Sequence, residues 1–185
     1  MSKSGSGKFL VVLLIGIALI CDECGSSKDT SPSTASSSGG TSNEPIRYVS
    51  PDANLTSYPI TNSWIICPMV DRPCSMTIHA PSSRSVYVYF QGLNAASKNF
   101  AVLVKAGTSY TFDTPVGSYT CYYASGETWY GTEYKFGSNT SYAKCDTRIE
   151  NEADYYSATE YELTLYAVQN GNMSTSHISA SQFPG

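Results

Sequence analysis

The sequence has little charge, almost no histidine and no familiar catalytic motif. Only 14% of its 185 residues are charged and 2 are histidine, whereas about a quarter of a typical soluble domain is charged. The net charge of -4 argues against a nucleic-acid partner, because binding to phosphates needs many lysines and arginines. No H-E-x-x-H, G-x-S-x-G or P-loop pattern occurs. We therefore expect no enzyme activity and no cofactor.

Only one long apolar run is present, and it lies near the N-terminus. Lys3 and Lys8 precede Phe9 to Ile20, which is interrupted only by Gly16. As a helix the run would rise about 18 Å, short of the roughly 30 Å hydrocarbon core of a bilayer. A positive start before such a run is typical of a secretory signal peptide, and a core helix would show a polar face. The sequence predicts an extracytoplasmic protein, secreted or anchored to the membrane of the cell envelope through residues 1–25.

The end of the apolar run has two interpretations. Cys21 follows the run directly, although Ile20 stands where a small residue is usual. This resembles bacterial lipoproteins, and the resemblance implies a lipid attached to Cys21; an uncleaved membrane anchor is the alternative. Cys21 and Cys24 also have the spacing of half a zinc ribbon, but Cys67 and Cys74 are too widely spaced to complete it, so we predict no metal site.

Composition divides the rest of the chain. Residues 26–45 are dominated by Ser, Thr and Gly and cannot bury enough surface to fold, so we expect a flexible, disordered linker. Residues 46–170 form the predicted domain, and residues 171–185 a polar C-terminal tail.

The predicted domain is all-β, a small antiparallel β-sandwich. Short runs rich in Val, Tyr, Thr and Phe alternate with Gly, Pro, Asn and Ser, and helical periodicity is nearly absent. The predicted strands are Trp64 to Val70, Cys74 to His79, Val86 to Gln91, Phe100 to Lys105, Ser109 to Asp113, Ser118 to Tyr123 and Thr159 to Val168. Turns at Ala106-Gly107 and Pro115-Val116-Gly117 predict a central meander of hairpins.

Four cysteines lie in the predicted domain. An even number in an exported domain favours disulfides. We favour Cys67–Cys74 and Cys121–Cys145 because both close local loops, the second worth about 3 kcal/mol in the chain-entropy model. Free buried thiols are the alternative.

A different pairing follows from a loose resemblance to immunoglobulin domains. The resemblance is carried by Asp113, Gly117, Tyr119 and Cys121, and it implies Cys67 or Cys74 as the first cysteine of the pair. Such domains have a Trp between the two cysteines, and here none lies there.

A second resemblance covers about half the chain. The matching residues are Pro115-Val116-Gly117-Ser118-Tyr119, Tyr122 to Gly131, Phe136-Gly137, Thr140 and Lys144. They resemble a P-x-G-x-Y … W-Y-G … F-G-x-x-T pattern found in a family of uncharacterised bacterial exported or membrane-attached β domains. The resemblance supports a β fold and implies no activity.

The aromatic residues of this pattern are the candidate binding site. Trp129, Tyr130 and Tyr134 could form an exposed patch that stacks on a sugar or a protein, or they could plug one end of the sandwich. We expect surface interaction or envelope structure, with a protein or glycan partner; the alternative is a carbohydrate-binding module.

Two further groups of residues are weaker candidates. His79 and His177 have no partner motif, and we interpret both as incidental. Asp146, Glu150, Glu152 and Asp154 could hold Ca²⁺ but lack the spacing of a calcium loop, and we interpret them as a solvated loop.

Overall fold

The computed structural model describes residues 9–14, 50–66, 73–166 and 172–185, and for residues 9–14 only the backbone. It contains eleven strands and only short helices. The strands are β1 (Phe9–Leu14), β2 (Ser63–Ile66), β3 (Cys74–His79), β4 (Ser85–Gly92), β5 (Phe100–Val104), β6 (Ser109–Thr114), β7 (Gly117–Gly126), β8 (Ser141–Cys145), β9 (Ile149–Asn151), β10 (Thr159–Thr164) and β11 (Thr175–His177). The all-β prediction is confirmed. Cys21, Cys67 and the predicted linker lie outside the described residues.

The strands form two sheets. The smaller sheet has the order β1-β10-β3-β6, and the larger has the order β11-β8-β7-β4-β5-β2, with β9 paired to the first part of β7. Every pair in the larger sheet is antiparallel, whereas β1 and β3 both run parallel to β10. The smaller sheet is therefore mixed.

Apolar side chains from both sheets pack together between them, which makes the fold a sandwich. The smaller sheet contributes Met76, Ile78 and Leu163, all fully buried, and the larger sheet contributes the stacked rings of Phe90 and Phe100, 4.4 Å apart. Alternation along β3 and β10 explains the packing, because every second side chain faces the other sheet.

The predicted central meander is wrong. The turn at Ala106-Gly107 forms, with Gly107 at φ 69°, but β5 pairs with β4 and β2 while β6 pairs with β3. The turn therefore joins the two sheets. The reason is burial: all of β5 is buried, as in a central strand covered on both faces, whereas β6 alternates between exposed and buried residues.

The C-terminal residues belong to the larger sheet. Strand β11 pairs with β8, and a short 3-10 helix, Ala180–Gln182, follows with a Ser179 capping box. Phe183 then packs on the outer face of the larger sheet against Tyr87, Tyr89 and Tyr142. Residues 172–185, predicted as part of a polar tail, thus contribute to the domain despite their polar composition.

Candidate functional site

A loop after β7 folds back over the outer face of the larger sheet and buries its aromatic residues. Trp129 is only 5% exposed, stacks on Tyr87 with ring centres 5.4 Å apart, and meets the edge of Phe136 at 5.2 Å. Gly126 permits this approach, because a Cβ there would lie 2.2 Å from the Cβ of Phe136. The expectation that Trp129 is exposed is wrong, because its ring is buried between the loop and the outer face of the sheet.

The other two residues of the predicted patch are more accessible. Tyr134 is 48% exposed and ends a single helical turn, Gly131–Tyr134. Tyr130 is half-buried, and its N–H donates to the carbonyl of Lys135 at 2.7 Å. The structure thus separates the predicted set into one buried ring and two surface tyrosines.

Lys135 is an unexpected member of this outer-face cluster, which we define as Tyr87, Tyr89, Trp129, Phe136 and Phe183 with their neighbours. Lys135 is 4% exposed, and its Nζ lies 5.1 Å from the ring centre of Tyr87 and 5.5 Å from that of Phe183. The ammonium donates to the carbonyl of Thr132. Burial lowers the pKa of Lys135, because a low-dielectric surrounding disfavours the charged form.

A serine, a histidine and a glutamate form a chain of hydrogen bonds on the outer face of the smaller sheet. His79 Nδ1 lies 2.6 Å from Ser109 Oγ, and His79 Nε2 lies 2.7 Å from Glu162 Oε1. These contacts arise because β3 is flanked by β6 and β10. No local sequence pattern marks this set, since the three residues are far apart in the chain and only the pairing of β3 with β6 and β10 brings them together.

The set has the residue types of a catalytic triad but lies in an exposed sheet face. Ser109 is exposed on a regular strand, and four cavities formed by the described residues are lined by side chains other than Ser109 and His79. A nucleophilic serine also needs N–H donors aimed at the developing oxyanion. The peptide groups of β3 pair with β10 on one side and with β6 on the other, whereas β6, an edge strand of the sheet among the described residues, pairs only with β3. The arrangement is a surface hydrogen-bond network.

The four acidic residues considered as calcium ligands do not form a metal-binding group among the described residues. Glu150, Glu152 and Asp154 line a shared cavity of about 600 Å³. Asp146 instead accepts a hydrogen bond from Ser176 at 2.7 Å. Within the described ranges, no group of three or more His, Cys, Asp or Glu side chains is placed to hold a metal ion.

The three cysteines that the structure describes are buried free thiols. Cys121 and Cys145 lie beside the paired residues Tyr122 and Lys144 on β7 and β8. Burial and then the neighbouring Cys145 thiol raise the pKa of Cys121 well above its usual value. Cys74 donates to the carbonyl of Glu152 at 3.4 Å, and burial raises its pKa. The favoured Cys121–Cys145 disulfide is therefore not formed in the structure, and the alternative of free buried thiols describes these residues; Cys67, the favoured partner of Cys74, lies outside the described residues.

A cavity of about 290 Å³ opens where β7, β8 and the end of β10 meet. Three tyrosines line it, Tyr123, Tyr142 and Tyr166, together with Arg84 and His177. We call this cavity the tyrosine–arginine pocket. Tyr166 is 43% exposed, so its ring remains accessible at the rim. No pattern in the sequence marks this site, because its residues come from five separate segments.

In comparisons with known proteins, no family model, no curated protein and no solved structure matches the chain. The resemblance to exported bacterial β domains therefore stays a prediction. Among helices of the described residues, none is long and apolar enough to cross a membrane.

Proposed function

We propose that the protein is a non-catalytic β-sandwich, tethered to a membrane outside the cytoplasm, that acts in surface interaction or envelope structure. One observation carries the proposal: most of the large apolar side chains exposed on the described surface are tyrosines. They are Tyr58, Tyr134, Tyr155, Tyr156 and Tyr166. Exposed tyrosines give rigid contact area with a polar tip, which suits a binding surface on a protein of low charge.

The tether is argued from the sequence. The positive start, the apolar run from Phe9 to Ile20 and the polar residues 26–45 have the order of a leader, an attachment point and a spacer. In this proposal the membrane is reached through the N-terminus, by a lipid on Cys21 or by an uncleaved anchor.

Protease treatment of intact cells tests the location. Cells producing the full chain with a C-terminal epitope tag are exposed to a protease that cannot cross the membrane. We expect the tag to be lost while a cytoplasmic control protein survives. Protection of the tag until the cells are lysed would contradict an extracytoplasmic location.

A covalent serine probe tests the non-catalytic part of the proposal. Ser109 is exposed on a regular strand and lines none of four cavities formed by the described residues, so we expect no labelling by a fluorophosphonate. Labelling that disappears in Ser109→Ala but persists in Ser75→Ala, a serine on the same sheet, would show an active nucleophile and revive an enzyme.

The cysteine pair adds a further expectation in an oxidising compartment. Cys121 and Cys145 are neighbours across β7 and β8, and we propose that they oxidise to a disulfide with the loss of two protons and two electrons to the thiol oxidants of that compartment. Intact mass would then show the loss of two hydrogens, absent in Cys121→Ala. Fully reduced protein from the envelope would contradict this pairing.

The second candidate function is carbohydrate recognition. Burial removes Trp129 from the proposed patch around Trp129 and Tyr130, but Tyr142 and Tyr166 line the tyrosine–arginine pocket with polar partners beside them. An aromatic ring next to hydrogen-bonding groups is a suitable surface for a sugar, whose faces are apolar and whose edge carries hydroxyls.

A further inference from the structure

We infer that the tyrosine–arginine pocket binds a sugar ring that carries a carboxylate. The inference rests on the proposed role in surface interaction and names the chemistry of the partner. Its basis is the juxtaposition of a guanidinium, three tyrosines and serine hydroxyls around one opening.

The guanidinium of Arg84 has unused hydrogen-bonding capacity. Its Nη1 donates to Ser141 Oγ at 2.8 Å, and that contact fixes the direction of the side chain. The structure shows no ion pair between Arg84 and a described carboxylate. Because a guanidinium carries five N–H donors in a planar fork, the remaining donors suit the two oxygens of a ligand carboxylate.

The charge of the lining favours an anion over a neutral sugar. Neither Asp nor Glu lines the tyrosine–arginine pocket. Arg84 also borders a second cavity of about 200 Å³, lined by Asp52 and Glu127. Asp52 is already engaged there, accepting the backbone N–H of Ser138 at 2.9 Å and its hydroxyl at 3.0 Å. Both carboxylates border Arg84 from that second cavity, and the lining on the side of the tyrosines contains Arg84 but no carboxylate.

The aromatic and hydroxyl groups supply the rest of a sugar site. Tyr166 at the rim offers an accessible ring face, and Tyr142 lies half-buried beside it. Ser125 and Ser141 add hydroxyls that can pair with those of a sugar. The cavity of about 290 Å³ lies at the small end of the range of ligand pockets, which suits one ring rather than a long chain.

Titration with two matched sugars tests the inference. The full chain, solubilised from membranes, is titrated with methyl glucuronide and with methyl glucoside, which differ by the carboxylate, and with sodium sulfate as a plain anion. We expect the glucuronide to bind at least about tenfold more tightly than the glucoside, the ratio of one charge-assisted contact. We also expect sulfate not to displace it at equal concentration.

Variants locate the site. Arg84→Gln should weaken glucuronide binding about tenfold or more and abolish the preference over the glucoside. Arg148→Gln is the matched control, since Arg148 is exposed and pairs with Glu150. Tyr166→Ser should weaken both sugars, whereas Tyr155→Ser, at an exposed tyrosine outside the pocket, should weaken neither. Tyr166 is exposed, so this variant remains informative if Arg84→Gln does not fold.

Three results would overturn the inference: equal affinity for the two sugars, binding unchanged in both Arg84→Gln and Tyr166→Ser, or equal displacement by sulfate. Protease treatment of intact cells distinguishes these outcomes from failure of the proposed function. A protein that is protease-accessible on intact cells but ignores the glucuronide would lose this inference alone, whereas a protected protein would lose the extracytoplasmic role.

Discussion

At the scale of single residues, the outer-face cluster contains a tryptophan, Trp129, and a lysine, Lys135, that are both buried. We expect them to stabilise the fold rather than to contact a ligand. Trp129 contacts Tyr87 and Phe136, and Lys135 lies among the same rings with its ammonium held by a backbone carbonyl. We therefore expect both residues to affect the stability of the loop more directly than the binding of a ligand.

Replacing Trp129 measures that contribution. Trp129→Ala removes a buried ring and its contacts, so we expect the free energy of unfolding to fall by about 3–5 kcal/mol. Tyr134→Ala, at a side chain that is 48% exposed, should change it by no more than about 0.5 kcal/mol. Urea unfolding of the two variants makes the comparison. Similar small effects would mean that Trp129 lies on the surface.

Lys135 predicts a pH dependence of stability. Burial lowers its pKa below the usual 10.5, so the folded state binds the proton less tightly than the unfolded state. The cost of the buried charge is full at neutral pH and falls as the pH rises through the folded-state pKa toward 10.5.

Unfolding at two pH values tests this. Lys135→Met keeps an apolar stem and removes the charge. The free energy of unfolding of this variant, minus that of the native protein, should therefore be larger at pH 7 than at pH 10. Lys98→Met, at an exposed position, controls for the loss of one positive charge. A relative stability of Lys135→Met that does not vary with pH would contradict burial of the ammonium.

At the scale of elements, strands were easier to predict than their connections. The prediction of Cys74 to His79 matches β3, because that segment alternates strictly between buried and half-buried residues. Strands β8, β9 and β11 were missed because they are short and rich in polar residues. Pairing depends on contacts between distant segments, so a local turn at Gly107 could not show that β5 and β6 belong to different sheets.

The same limit applies to the candidate site. The sequence indicated tyrosines as binding residues, but Arg84, Tyr142 and Tyr166 come together only through the sheet order. No local sequence pattern indicates that Lys135 is buried either. Its two neighbours are both aromatic, yet Tyr134 is exposed and Phe136 is buried. Phe183 is the only aromatic residue in the segment 171–185, which was a signal for its packing.

Strand β1 lies in the segment that the sequence predicts to be a leader. Phe9–Leu14 pairs in parallel with β10 over six residues, whereas the same segment is the apolar core of the predicted leader. A segment held in a membrane or removed by a signal peptidase cannot also pair with β10. The proposal therefore implies that β10 becomes an edge strand in the exported protein, where the charges of Glu160 and Glu162 would discourage pairing with other chains.

Hydrogen exchange tests the contribution of β1. The proposal places Phe9–Leu14 in a membrane or removes it, so the amides of β10 that would face β1 should exchange equally fast in the exported protein and in a chain that starts at Ser26. The amides of β10 that bond to β3 should stay protected in both chains, and unfolding free energies control for a global loss of stability. Slower exchange of the β1-facing amides in the exported full chain alone would show that β1 pairs there and would contradict the leader.

At the scale of the whole molecule, the protein is a β-sandwich on whose described surface most of the exposed large apolar side chains are tyrosines, and the proposed tether precedes it in the sequence. The low charged fraction of 14% and the net charge of -4 fit a surface that remains soluble through hydroxyls and amides. Such a surface favours contacts made by stacking and hydrogen bonds over electrostatic attraction.

Membrane fractionation tests the central claim most directly. Bacteria produce the full chain or a chain that starts at Ser26, and membranes are washed with high salt and then with detergent. The account predicts that the full chain stays with the membranes until detergent is added, while the shorter chain is soluble. Full-length protein with an intact leader in the soluble fraction would contradict the tether and the surface role that depends on it.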